Sequence, residues 1–169
     1  LLQHYQSQRY DDAEKSATSI TQQYPRHPFG WKVLGLVHKK TGKMSEALAA
    51  GQIAVELDPH DAEAHSNLGN TLTELGRFED AEASCRKAVA LKPDFTLAHN
   101  NLGVALHKLG KWQEAAASYR QAIRLKPDYA QSYYNLGVTL EELGNLEAAE
   151  VSYRKAIALK ADYAQAYCN

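Results

Sequence analysis

Residues 96–129 read TLAHNNLGVALHKLGKWQEAAASYRQAIRLKPDY, and the same phrase recurs on either side at a fixed step. The pairs Leu34-Gly35, Leu68-Gly69, Leu102-Gly103 and Leu136-Gly137 stand 34 residues apart, with no insertion between the first and the last. Self-similarity at this period predicts one helix–turn–helix unit stacked on copies of itself, an all-α solenoid of antiparallel helix pairs. A stack of that kind offers a long curved surface rather than an enclosed chemical pocket.

With the Leu-Gly pair at positions 7 and 8, full units run over 28–61, 62–95, 96–129 and 130–163. Position 4 is Trp31, His65, His99 and Tyr133, and position 15 is Gly42, Gly76, Gly110 and Gly144. Position 20 is Ala47, Ala81, Ala115 and Ala149, and position 27 is Ala54, Ala88, Ala122 and Ala156. Position 32 is Pro59, Pro93 and Pro127, then Ala161. Glycine at 15 can take the left-handed conformation that ends a first helix. Small residues at 8, 20 and 27 let two helices approach closely. Proline at 32 stops the second helix, so the fourth unit, without it, is expected to leave by a looser turn. The register extends back over residues 1–27 as a partial, degenerate unit with Gln8 at position 15 and Pro25 at 32. Ala164-Gln165-Ala166-Tyr167-Cys168-Asn169 opens a fifth unit and stops at its position 6. The chain therefore reads as one array over 1–169, cut from a longer protein, and self-association through uncapped solenoid ends is expected.

This pattern resembles the tetratricopeptide repeat (TPR) family over essentially the whole chain. The residues that carry the resemblance are the Trp, His or Tyr at 4, Leu-Gly at 7 and 8, Gly at 15, Ala at 20, an aromatic at 24 and Pro at 32. The resemblance implies a right-handed superhelix with an inner groove. Position 24 is aromatic in Tyr119 and Tyr153 but not in Gly51 or Cys85, so the unit over 28–61 is expected to pack least well.

Composition excludes several functions. The formal charge of −1 gives no long-range field favouring nucleic acid or acidic lipid. No hydrophobic run is long enough for membrane insertion, and no secretory signal is in view, which points to the cytoplasm. Cys85, in the aromatic slot, and Cys168 read as free thiols in a reducing compartment rather than a disulfide scaffold. His4, His38, His65 and His99 fall on the helix-packing face, without the close His or Cys partners that a metal site needs. No phosphate-cradling loop, nucleophile or carboxylate pair appears, so no enzyme activity, cofactor or metal is expected. Arg86, Arg120 and Arg154, with Lys92, Lys126 and Lys160, form a basic ladder that could be read as a nucleic-acid stripe. Glu82 and Glu150, four residues before Arg86 and Arg154, instead make intrahelical ion pairs the better reading. Lysines in the last helical turn also complement the helix dipole.

Position 6 carries the functional signal. It is Val33, then Asn67, Asn101, Asn135 and Asn169. At 100° per residue, positions 4, 7, 8 and 11 share the buried side of the first helix, and positions 2, 6, 9 and 13 the opposite side. In a TPR array that opposite side resembles the inner wall of the groove. An asparagine side chain both donates and accepts, so a row of them suits the backbone of an extended peptide. Flanking candidates are Gln131 and Leu97 at 2, Asn100 and Tyr134 at 5, Asn70, Val104 and Val138 at 9, and His107 and Glu141 at 12. The wall is polar with an apolar middle and acid towards its C-terminal end. Lying off the packing side, Asn67, Asn101 and Asn135 are expected to be replaceable without loss of stability.

Within the family, co-chaperones grip an acidic C-terminal peptide with cations and asparagines at set positions. Here those positions hold Ser66, Asn70, Asn101, Gln131 and Asn135, so all three cations are missing and a carboxylate clamp is not expected. The unbroken asparagine ladder is instead similar to the TPR arm of O-linked N-acetylglucosamine transferases. Two functions are therefore expected: a non-catalytic scaffold binding extended protein segments, or the substrate-recognition arm of a larger transferase.

Overall fold

The computed structural model describes residues 9–160, and among these it holds nine α-helices and no strand. They are α1 (Tyr10–Gln23), α2 (Pro28–Lys40), α3 (Met44–Leu57), α4 (Ala62–Glu74), α5 (Phe78–Leu91), α6 (Thr96–Lys108), α7 (Trp112–Leu125), α8 (Ala130–Glu142) and α9 (Leu146–Leu159). Each packs on the next, giving an all-α solenoid. The expectations placed on His4, Gln8, Ala161, Cys168, Asn169 and the opening of a fifth unit lie outside the described residues.

Both turns of the unit follow from its sequence. Gly42, Gly76, Gly110 and Gly144 have φ of 72° to 77°, the left-handed region that a side chain opposes. The following N–H then returns to the carbonyl at position 11: Lys43 to His38, Arg77 to Leu72, Lys111 to Leu106 and Asn145 to Leu140, at 2.8–2.9 Å. The second helices end at Leu57, Leu91, Leu125 and Leu159, all in one register, although the last is followed by Ala161 rather than proline. In each, the residue at position 31 leaves helical geometry, with φ from −136° to −149°. Its N–H closes on the alanine carbonyl at 27. That capping turn, and not the proline alone, sets the end of α9.

The ring at position 4 has a duty that the packing-face reading missed. Trp31 Nε1 donates to the Pro25 carbonyl at 2.9 Å, and His65 and His99 reach the Pro59 and Pro93 carbonyls at 3.1 and 2.8 Å through Nε2. A carbonyl only accepts, so Nε2 carries the proton in both histidines. In these three units the ring N–H latches the connecting turn onto the helix that follows it.

Close helix approach is decided at position 8. A Cβ added to Gly103 or Gly137 would lie 2.5 Å from Cε1 of Tyr119 or Tyr153, whose rings cross directly over the glycine. In the second unit buried Cys85 takes the ring's place, and burial pushes its thiol up to about 12. In the first unit Gly51 stands there, and a Cβ on Gly35 would meet nothing nearer than 3.5 Å. The first helices are also buried on a second side. Ala64, Ala98 and Ser132 at position 3, and Val37, Thr71, Ala105 and Thr139 at position 10, are buried as well as the expected seam. The cause is that first helices pack on neighbouring first helices, a contact invisible to a single-helix periodicity.

Ion pairs lace the second helices. Glu82 binds Arg86 at 2.7 Å and Lys111 at 2.8 Å, Arg86 reaches Glu114 at 2.8 Å, and Arg154 binds Glu150 at 2.6 Å. Lys92 and Lys126 also stand over the rings of Phe95 and Tyr129, at 5.3 and 5.7 Å. The basic ladder is thus largely occupied by neighbours. Burial alone would raise Glu82, but the hydrogen bonds from Lys111 and Arg86 outweigh it and hold its carboxyl below the usual range.

Gly103→Ala is expected to cost about 1–3 kcal/mol by driving a methyl group into Tyr119. Gly35→Ala should be neutral, or gain up to about 1 kcal/mol from helix propensity. Urea unfolding of the two variants measures the contrast. Because Glu82 is depressed in the folded state, its contribution is present above the unfolded carboxylate value. It is lost as pH falls through the lower folded value. Glu82→Gln should therefore narrow the drop in melting temperature between about pH 5 and about pH 3.

Candidate concave interface

Helices α2, α4, α6 and α8 form one layer, in which successive first helices touch. The second helices α3, α5, α7 and α9 make no comparable contact with one another. A layer whose members touch lies inside the bend, so the first helices line the concave wall.

The structure draws Asn101, and Asn100 with Asn135, into two separate hydrogen-bonded bridges along this wall. Asn101 is only 6% exposed, and its Nδ2 donates to Ser66 Oγ at 3.1 Å and to the Ser66 carbonyl at 3.3 Å. Asn135 Nδ2 donates to Asn100 Oδ1 at 3.2 Å, and Ser132 Oγ donates to the same oxygen at 3.0 Å. Gln131 Nε2 donates to Asn135 Oδ1 at 2.9 Å. The amide at position 6 therefore ties its helix to position 5 of the preceding unit. Asn101 and Asn135 are not off the packing surface, and replacing them removes bonds between units. This corrects the expectation that all three rungs are dispensable for stability. Ser66, Ser132 and buried Asn100 were missed as partners; the signal was the small or amide residue beside the ladder.

Asn67 differs. It is half-buried, and its side chain has no partner among the described residues, because position 5 of the preceding unit is Lys32. The Lys32 amine is instead held by Asp61 at 2.8 Å and Glu63 at 2.9 Å. Asn70 is also half-buried with its amide unpaired among the described residues. The open amides of the wall are thus Asn67 and Asn70, with Asn101 offering only its Oδ1.

Val104, Val138 and Tyr134 are half-buried against the main core, the Tyr134 ring 5.8 Å from that of Tyr153, while Leu97 is exposed. His107 Nδ1 lies 3.0 Å from Thr139 Oγ1, which itself donates to the Asn135 carbonyl at 2.8 Å. The imidazole is therefore the donor. Burial, with Lys108 beside it, holds His107 below its ordinary value against the opposing pull of Glu142. Glu141 accepts from the Tyr153 hydroxyl at 2.5 Å, and Lys39 pairs with Glu74 at 2.8 Å. The acid at the C-terminal end that faces solvent is Glu142. Among the described residues no group of His, Cys, Asp and Glu is arranged to hold a metal ion, and no helix is long and apolar enough to cross a membrane.

None of the curated proteins matches the chain in sequence. Among solved structures, MamA is 22% identical and superposes with a TM-score of 0.81, over 96% of this chain and 95% of that one. TTC0263, a thermophilic TPR protein in Thermus thermophilus, is 23% identical with a TM-score of 0.81, over 99% and 91%. PilW, a widely conserved type IV pilus biogenesis factor, is 22% identical with a TM-score of 0.86, over 94% and 73%. At these identities the likeness speaks for the fold. A TPR repeat model matches residues 35–76 and 105–144, and tetratricopeptide repeat models match 62–95, 84–117 and 130–163. With its helix pairs, its glycine turns and these matches spread along the array, the chain belongs to the tetratricopeptide repeat family.

Proposed function

We propose that the chain is a protein-interaction module that holds an extended polypeptide along its concave wall. The observation that carries this reading is the pair of open amides, Asn67 and Asn70, on an inner wall that continues into Leu97, Val104, Tyr134 and Val138. Open amides match a peptide's N–H and C=O groups, and the apolar stretch takes alternate side chains. Asn101 and Asn135 shape the wall and hold its helices in register, and Asn101 adds one acceptor. A basic residue of the ligand meets Glu142, since Glu141 is already engaged by Tyr153.

The test is binding to a diverse array of unstructured peptides. Replacing Asn67 and Asn70 together by alanine should weaken binding by about 1–3 kcal/mol with unchanged melting. Asn101→Ala should lower unfolding stability by about 0.5–1.5 kcal/mol, because it unties Ser66. Undiminished binding by the Asn67/Asn70 variant, or no binding by the parent, would sink the reading.

A further inference from the structure

The junction between the first full unit (α2–α3) and α4 lacks both the amide bridge and the ion pair between second helices that join units further along. Where Asn101 bridges to Ser66 and Asn135 to Asn100, Asn67 faces Lys32 and makes no bridge. Inside the first full unit, Gly51 leaves Gly35 without the ring that Tyr119 and Tyr153 lay over Gly103 and Gly137, and a gap of about 10 Å³ bounded by Ala47, Ala54, Ala64 and Leu68 lies at the border with α4. That gap holds no more than one water, so it is a packing defect and not a ligand site. Where Lys111 binds Glu82 across the second helices, the matching pair is Arg77 and Leu48. The α7–α8 junction also lacks this ion pair, with Ala116 and Asn145 in those places, but it keeps the amide bridge.

The core itself is interrupted at the same place. One buried cluster joins Ala13, Ala17, Val33, Leu34, Val37 and Ala50, from α1 to α3. The next begins at Leu68 and Leu72 in α4 and continues to Ala81 and Ala105, meeting the first body through half-buried Leu48 and Val55. From α5 onward a third cluster runs unbroken to Tyr153. Beside the apolar contact of Leu48 and Val55, what spans the junction in place of an amide bridge is charge: Lys32 to Asp61 and Glu63, and Lys39 to Glu74.

We infer that the α3–α4 junction is a pliant, salt-responsive joint, at which α1–α3 part from α4–α9 as a unit before any other interface opens. Partly exposed ion pairs weaken as salt screens them, whereas buried rings and amide bridges do not. Because α2 and α4 both line the concave wall, the joint sets the angle at which Asn67 meets a ligand. That consequence rests on the proposed function. The joint itself is measured on the free protein, so either reading can fail alone.

Native-state hydrogen exchange tests it, read by mass spectrometry over α1–α3 and α5–α8. The expected result is a single step in protection between Leu57 and Ala62, with α1–α3 exchanging together. Their rate should rise about two- to fivefold from about 0.05 M to about 1 M NaCl, while α5–α8, whose ion pairs are backed by amide bridges, change by less than half as much. A smooth gradient from α1 inward, a step elsewhere, or no response to salt would overturn the inference. The doubly substituted Lys32→Ser, Lys39→Gln chain gives Asn67 the partner that Ser66 gives Asn101, and removes both lysines. With helicity confirmed by circular dichroism, its salt response over α1–α3 should fall to that of α5–α8, and persistence of the parent's response would equally overturn the joint.

Discussion

The close crossing of the second helix over position 8 of the first is the contact from which the rest of the array follows. Where a tyrosine ring lies on bare glycine, as over Gly103 and Gly137, the two helices are locked at one spacing. That spacing fixes where the next first helix can lie, and so which residues reach the concave wall. Van der Waals contact of this closeness is steeply distance-dependent, so the lock is geometric as much as energetic. The first unit keeps the glycine but lacks the ring, and the core is interrupted next to it.

Polar groups complete the arrangement. First helices packed on first helices bury side chains at positions 3, 5, 6 and 10, and buried polar atoms need partners. The asparagines answer that need: Asn101 and Asn135 satisfy groups of the preceding unit while keeping the helices in register. One structural role and one recognition role are thus drawn from the same repeated residue. Which role prevails depends on the neighbour at position 5. Serine or asparagine captures the amide, whereas lysine leaves it free and brings charge in its place.

Much of this protein was legible in its sequence. The 34-residue period, the glycines at 15 and the small residues at 8, 20 and 27 determine helix pairs, left-handed turns and close packing, because each acts within one unit or between nearest neighbours. The missing ring over Gly35 was also readable, since Gly51 visibly departs from the aromatic at 24. The fate of Asn101 was not. Its burial depends on contact between helices 34 residues apart, and helical periodicity describes one helix against one partner. Only the tertiary structure decided which amides are spent between units and which stay open, since a hydrogen bond is fixed by distance and direction in space and not by spacing along the chain.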